Sequence, residues 1–115
     1  MAEKNGIKEL NLIGAGTTVE GKIRTQGSIR LDGKMTGEIH AAENLVIGLT
    51  GEIEGSVNGR NVSVGGKVRG NITAVEKLVL EGKSIVRGDM RATRLVIDEG
   101  ATFDGKVSMT ENRPG

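Results

Sequence analysis

The chain has no cysteine, no tryptophan and no tyrosine, and its 115 residues include one phenylalanine, one proline and one histidine. Without cysteine there is no disulfide framework and no thiolate metal site. A single histidine excludes a three-histidine zinc centre. With Phe103 as the sole aromatic residue, a core has to be filled by Val, Ile, Leu and Met, which suits a narrow interior. No apolar run approaches the roughly 18–20 residues of a membrane span, and the polar start MAEKNG lacks the apolar stretch of a signal peptide, so a cytoplasmic setting is expected. An excess of one charge is missing too. With 16 basic and 15 acidic residues the net charge is +1, and neither a basic cluster nor an aromatic stacking platform is present for nucleic acid.

What the chain does have is 19 glycines. So much glycine disfavours helix, and collagen is excluded because the glycines do not fall at every third position. They fall in a longer repeat. VEGKI (19–23) returns as MTGEI (35–39), IEGSV (53–57), VRGNI (68–72), VRGDM (86–90) and FDGKV (103–107), each an apolar-x-Gly-x-apolar motif. The motif glycines are Gly21, Gly37, Gly55, Gly70, Gly88 and Gly105. They recur on average about every 17 residues, a period too short for a leucine-rich repeat, a helical repeat or a propeller blade.

A second element alternates with the first: the apolar-x-apolar triplets IRL (29–31), LVI (45–47), VSV (62–64), LVL (78–80) and LVI (95–97). Both elements have period 2, the signature of strands whose alternate residues face one side. The connections are too short for crossover helices, so the chain must wind directly onto itself. The pattern predicts an all-β, single-domain parallel β-helix of about six short coils, without a capping helix, over residues 12–109. Residues 1–11 and 110–115 are expected to be short tails. A right-handed β-helix is expected: the coils vary in length from one to the next, whereas left-handed hexapeptide helices keep nearly constant coils, and parallel connections prefer the right hand. Each motif glycine is expected at an inward or corner position where a Cβ would crowd the turn.

A β-helix ends in two layers of unpaired backbone and apolar interior. Soluble solenoids usually cover these with a helix or a polar terminal repeat, and neither tail is long enough for one. The ends are therefore expected to meet other copies of the chain. The candidates are Phe103, Val107 and Met109 at the C-terminal end and Leu12, Ile13 and Val19 at the N-terminal end. Outward positions should stack as well, one column running Glu20, Thr36, Glu54, Arg69, Arg87, Asp104 and another Lys22, Glu38, Ser56, Asn71, Asp89, Lys106. The outward centres of the triplets include Val46, Val79 and Val96. This partial apolar stripe either reflects strand propensity or offers lateral contact with a sister filament, a partner or a membrane.

Enzymatic readings are weaker. Left-handed β-helix acyltransferases use a histidine base, but His40 is expected at a surface corner, and the insertion loops and terminal helix of those enzymes are missing. Gly82-Lys83-Ser84 matches the end of a phosphate loop, yet Lys77 stands where the first glycine is required. The sequence implies no cofactor and no metal. The alternative to a self-associating protein is a discrete β-solenoid binding module or an acyltransferase-like enzyme, which would need capped ends and a defined oligomer.

The six motifs, the near-repeat of IGAGTTV (13–19) in IDEGATF (97–103) and the short polar termini together resemble the bactofilins, bacterial cytoskeletal proteins, over about residues 10–109. The resemblance implies a right-handed β-helix that polymerises end to end with itself into nonpolar filaments without nucleotide. It further implies a scaffold in cell shape, cell-wall synthesis, polar organisation or motility. The contacts it suggests are cell-wall or polar proteins and, peripherally, the inner face of the cytoplasmic membrane. Family members often carry longer proline-rich tails and a short hydrophobic N-terminal membrane-targeting segment, and MAEKNGIKEL has no such segment.

Overall fold

The computed structural model describes residues 10–109. All nine elements in that span are β-strands: β1 (Leu10–Ile13), β2 (Thr18–Thr25), β3 (Ser28–Leu31), β4 (Lys34–Ala41), β5 (Asn44–Ile47), β6 (Glu52–Val64), β7 (Lys67–Leu80), β8 (Ile85–Ile97) and β9 (Thr102–Met109). Every pairing between them is parallel. The chain is therefore a parallel β-solenoid of about six turns, with no helix among the described residues. Its first strand starts at Leu10, inside the segment that the sequence suggested was tail.

Each turn has three sides. The triplets build the first, where β1, β3, β5 and the final segments of β6, β7 and β8 pair in that order. The glycine motifs build the other two, with the glycine at the bend between them. The sequence suggested separate short strands joined by corners. From the third turn onward one strand instead runs from the glycine motif through the corner into the next triplet, with register shifts after Gly59 and Ala74. The backbone stays hydrogen-bonded through the corner, where the Arg60 and Asn61 amides both donate to the Glu43 carbonyl, at 3.0 and 3.2 Å.

The motif glycines stack in one column, each in register with the next. Their φ values lie between +125° and +149°, a region that L side chains rarely adopt. A Cβ on Gly55 would also be driven into the carbonyl oxygen of Gly37 in the preceding turn. What excludes a side chain is thus the bend's conformation and the neighbouring turn's backbone. Crowding within the glycine's own turn is not the cause.

Inside the solenoid the repeat becomes four aliphatic columns: Ile29, Leu45, Val62, Leu78; Leu31, Ile47, Val64, Leu80; Met35, Ile53, Val68, Val86; and Ile39, Val57, Ile72, Met90. All sixteen are buried. Ala41, Ala74 and Ala92 are buried beside them in the corner between the glycine motif and the next triplet. The one buried polar side chain among the described residues, Ser84, donates its hydroxyl to the Glu81 carbonyl at 2.7 Å. It costs little because its hydrogen bond is made locally.

Gly70→Ala should lower stability by about 3 kcal/mol or prevent folding, through strained φ and overlap with the Gly55 carbonyl. Gly14→Ala, at an open position with nothing within 4 Å of its Cβ, should change stability by less than about 0.5 kcal/mol. Thermal unfolding of the two variants beside the unmodified protein measures the contrast.

Candidate functional site

The last turn ends on a layer made by Leu95, Ile97, Ala101, Phe103, Val107 and Met109, every one apolar. Five of them sit directly over Leu78, Leu80, Val86, Met90 and Ala92, which are buried. In the end layer itself Ile97 is 47% exposed, Val107 39% and Met109 49%, and no further strand among the described residues covers them. Phe103 is half-buried and packs on the core. Phe103, Val107 and Met109, expected at this end, thus lie in one layer. Leu95, Ile97 and Ala101 complete it; Leu95 and Ile97 are the two inward positions of the last triplet, and that placement was the signal available to find them.

The opposite end is chemically different. Ile13, Val19 and Ile23 are half-buried against the core, but Asn11 takes the place that Ile29 and Leu45 hold in the turns above. Its side-chain amide donates to the Thr25 hydroxyl at 3.0 Å and to the Ser28 carbonyl at 3.3 Å. The Gly27 amide also donates to the Thr25 hydroxyl, at 3.2 Å. This end is part apolar and part polar. Leu12, expected beside Ile13 and Val19, is not in the layer: it stands in register with Arg30 and Val46 on the outside of the first side, 67% exposed. A triplet read without its register does not show which of two adjacent apolar residues points in.

On that outer face Val46, Ser63, Val79 and Val96 follow Leu12 and Arg30 in one column. On the other two sides the outward charged columns are in register, with ion pairs Glu54–Arg69 at 3.5 Å and Lys22–Glu38 at 3.9 Å. At the corner before the triplets Arg60 pairs with Glu76 of the next turn. That hydrogen bond and charge, with a smaller contribution from Glu43, raise the guanidinium's pKa above its ordinary value. These exposed pairs hold register more than they stabilise.

Nothing among the described residues is arranged for catalysis. His40 is exposed on β4, in register with Arg24 and Asn58, so it occupies a strand face and not a corner. No cluster of His, Cys, Asp or Glu among the described residues could hold a metal. One open depression of about 430 Å³ is lined by Lys34, Glu52 and Lys67, whose charges alternate along the stack, and by Arg69 and Arg87, which stand one over the other. Gly82, Lys83 and Ser84 form a solenoid corner with no helix after them. No helix among the described residues is long and apolar enough to cross a membrane.

The parallel solenoid formed by the described residues has counterparts among known proteins. The family model for bactofilins, described as polymer-forming cytoskeletal, matches residues 11–108. The chain belongs to the bactofilin family. It is 34% identical over 98 residues to bactofilin BacO of Myxococcus xanthus, covering 85% of this chain and 78% of that one. With BacP of the same organism it shares 31% identity over 104 residues, 90% of this chain but 43% of BacP. The fold matches the bactofilin BacA structure from solid-state NMR with a TM-score of 0.79 at 34% identity, over 90% of this chain and 98% of that one. It matches the Thermus thermophilus bactofilin of double helical filaments, seen by cryo-EM, with a TM-score of 0.83 at 34% identity, over 87% and 99%. Bactofilins are cytoskeletal filament-forming proteins, and the role of this chain is structural and not enzymatic.

Proposed function

We propose that this bactofilin polymerises end to end through its two terminal layers into nonpolar filaments, without nucleotide, and that the filament is a cytoplasmic scaffold for cell-shape, cell-wall or polar machinery at the inner face of the membrane. The observation that carries the reading is the apolar layer of Leu95, Ile97, Ala101, Phe103, Val107 and Met109, which continues the core columns and has no strand over it among the described residues. A second copy stacked there would bury those side chains and pair the free edge of β9, the same two interactions that join one turn to the next inside the chain. Apolar burial is worth about 1.5–3 kcal/mol for a fully exposed large aliphatic, so side chains already half-buried would each contribute roughly half of that. The driving force is burial and strand pairing, and nothing in it requires a nucleotide.

Lateral pairing of filaments is part of the same reading. The outward column of Val46, Val79 and Val96 offers a stripe that recurs along a filament, with Val96 40% exposed. Double helical filaments are described for the Thermus thermophilus relative, and this stripe is where the present chain would make a comparable contact.

Negative-stain electron microscopy of the purified protein, with no nucleotide or metal added, should show filaments. Phe103→Arg should abolish them, because a charge would be carried into a layer with no counter-charge. Discrete particles of uniform size from the unmodified protein would overturn the reading. Val79→Lys combined with Val96→Lys should leave single filaments while reducing paired or bundled ones, counted in the same images; unchanged pairing would remove the stripe from the assembly.

A further inference from the structure

Across the outer face of the first side, the last two triplets repeat a pattern that no earlier turn shows. Lys77, Val79 and Glu81 stand outward in one turn, and Arg94, Val96 and Asp98 take the same places in the next. The Asp98 amide donates to the Leu80 carbonyl at 2.8 Å, so the ladder that aligns the triplets runs on to the acids. Each of these turns reads base, valine, acid, and the face carries a basic, an apolar and an acidic column side by side. Lys77, Glu81, Arg94, Val96 and Asp98 are exposed. Earlier turns hold Ser28, Arg30 and Asp32, then Asn44, Val46 and Gly48, then Asn61, Ser63 and Gly65 at these positions.

The charges of the two rows have no counter-charge inside the chain. Base and acid of one turn are about 13 Å apart along the strand, with the valine between them. Neighbours along each column are like-charged, Lys77 with Arg94 and Glu81 with Asp98. None of these side chains forms an ion pair among the described residues, whereas Arg30, at the valine position of its own turn, reaches Asp32 at 3.1 Å. Two unneutralised columns of opposite sign beside an apolar one make a surface that is its own complement. A second copy laid against it, pointing the same way and turned about a two-fold axis parallel to the rod, sets base on acid at both edges and valine on valine between them. A copy pointing the other way would set base on base and neutralise neither column. An anionic lipid surface would attract one column and repel the other, so the face fits a second copy of this chain better.

We infer that the base-valine-acid rows join copies side by side, Lys77 and Arg94 of each facing Glu81 and Asp98 of the other, and that they make the lateral step of assembly salt-labile while the end-to-end step is not. The inference rests on the lateral contact proposed above. A single exposed ion pair is weak, but every pair of facing copies along a filament repeats both edges, and many weak contacts act together. Sodium chloride screens exposed charges and leaves the apolar burial of the end joints in place.

The test uses filaments of the full chain, imaged by negative-stain and cryo-electron microscopy over a range of sodium chloride concentrations. The unmodified protein should form paired filaments at low salt that separate into single ones as salt rises, and copies across each contact should point the same way. Glu81→Lys with Asp98→Lys makes the face basic at both edges, and Lys77→Glu with Arg94→Glu makes it acidic at both. Each double variant should still form filaments, which shows that it is folded, while its paired fraction at low salt falls about tenfold. Mixing preformed filaments of the two variants should restore pairing, between unlike filaments only. Undiminished pairing in the double variants, no recovery on mixing, copies pointing opposite ways across the contact, or pairing indifferent to salt would each overturn the inference. So would unmodified filaments that stay single at low salt but bind phosphatidylglycerol vesicles, with binding lost in Lys77→Glu with Arg94→Glu; the face would then belong to a lipid surface. If Val79→Lys with Val96→Lys separates the filaments while the charge reversals do not, the inference alone fails. If that valine double variant stays paired, the lateral reading fails and takes the inference with it.

Discussion

Everything in this molecule depends on one close approach: the carbonyl of each motif glycine lies where the next glycine would carry a Cβ. A side chain there would push the turns apart and break the parallel ladder on both flanking arms. With glycine in place the turns can close to the spacing of paired strands, about 4.8 Å. The positive φ at the same position bends the chain by a similar amount in every turn. Pitch and cross-section are therefore set by one atom's absence, repeated once in every turn.

Constant pitch makes columns, and columns decide what each side of the rod can do. Aliphatic columns fill the interior with side chains of nearly the same volume, so the narrow core needs no aromatic except at its end. Charged columns on the outside gain little energy from each pair, yet they make a slip of one turn visible as a clash of like charges. A fold assembled in this way has no intrinsic stopping point. Its C-terminal layer continues the apolar columns of the interior turns, whereas its N-terminal layer departs from them at Asn11 and Thr25.

Much of this was legible because the repeat is short and strict. Alternating apolar residues marked both strands of each turn, and the motif glycines marked the bends. The outward columns of Glu20 and Lys22 followed from counting. Leu12 was misplaced because it adjoins Ile13, and two neighbouring apolar residues cannot both point inward on a strand; the pairing of Leu12 with Arg30 settles which one does. Asn11 was missed for the complementary reason, since a polar residue in a short first rung carries no sign that it stands in an aliphatic column. His40 looked like a corner residue, but β4 continues through it to Ala41, because backbone pairing with β2 and β6 runs past the motif.

The sequence by itself determined the class of fold, the number of turns and which residues share a column, because periodicity and glycine spacing are properties of the chain's order. Only the tertiary structure decided how the columns are phased against one another around the rod, that corners are crossed by continuous strands, and that one end layer is apolar throughout while the other holds a small polar network. Those features depend on register between segments that lie a full turn apart along the chain. Register is fixed by hydrogen bonds between turns, which no stretch of sequence contains on its own.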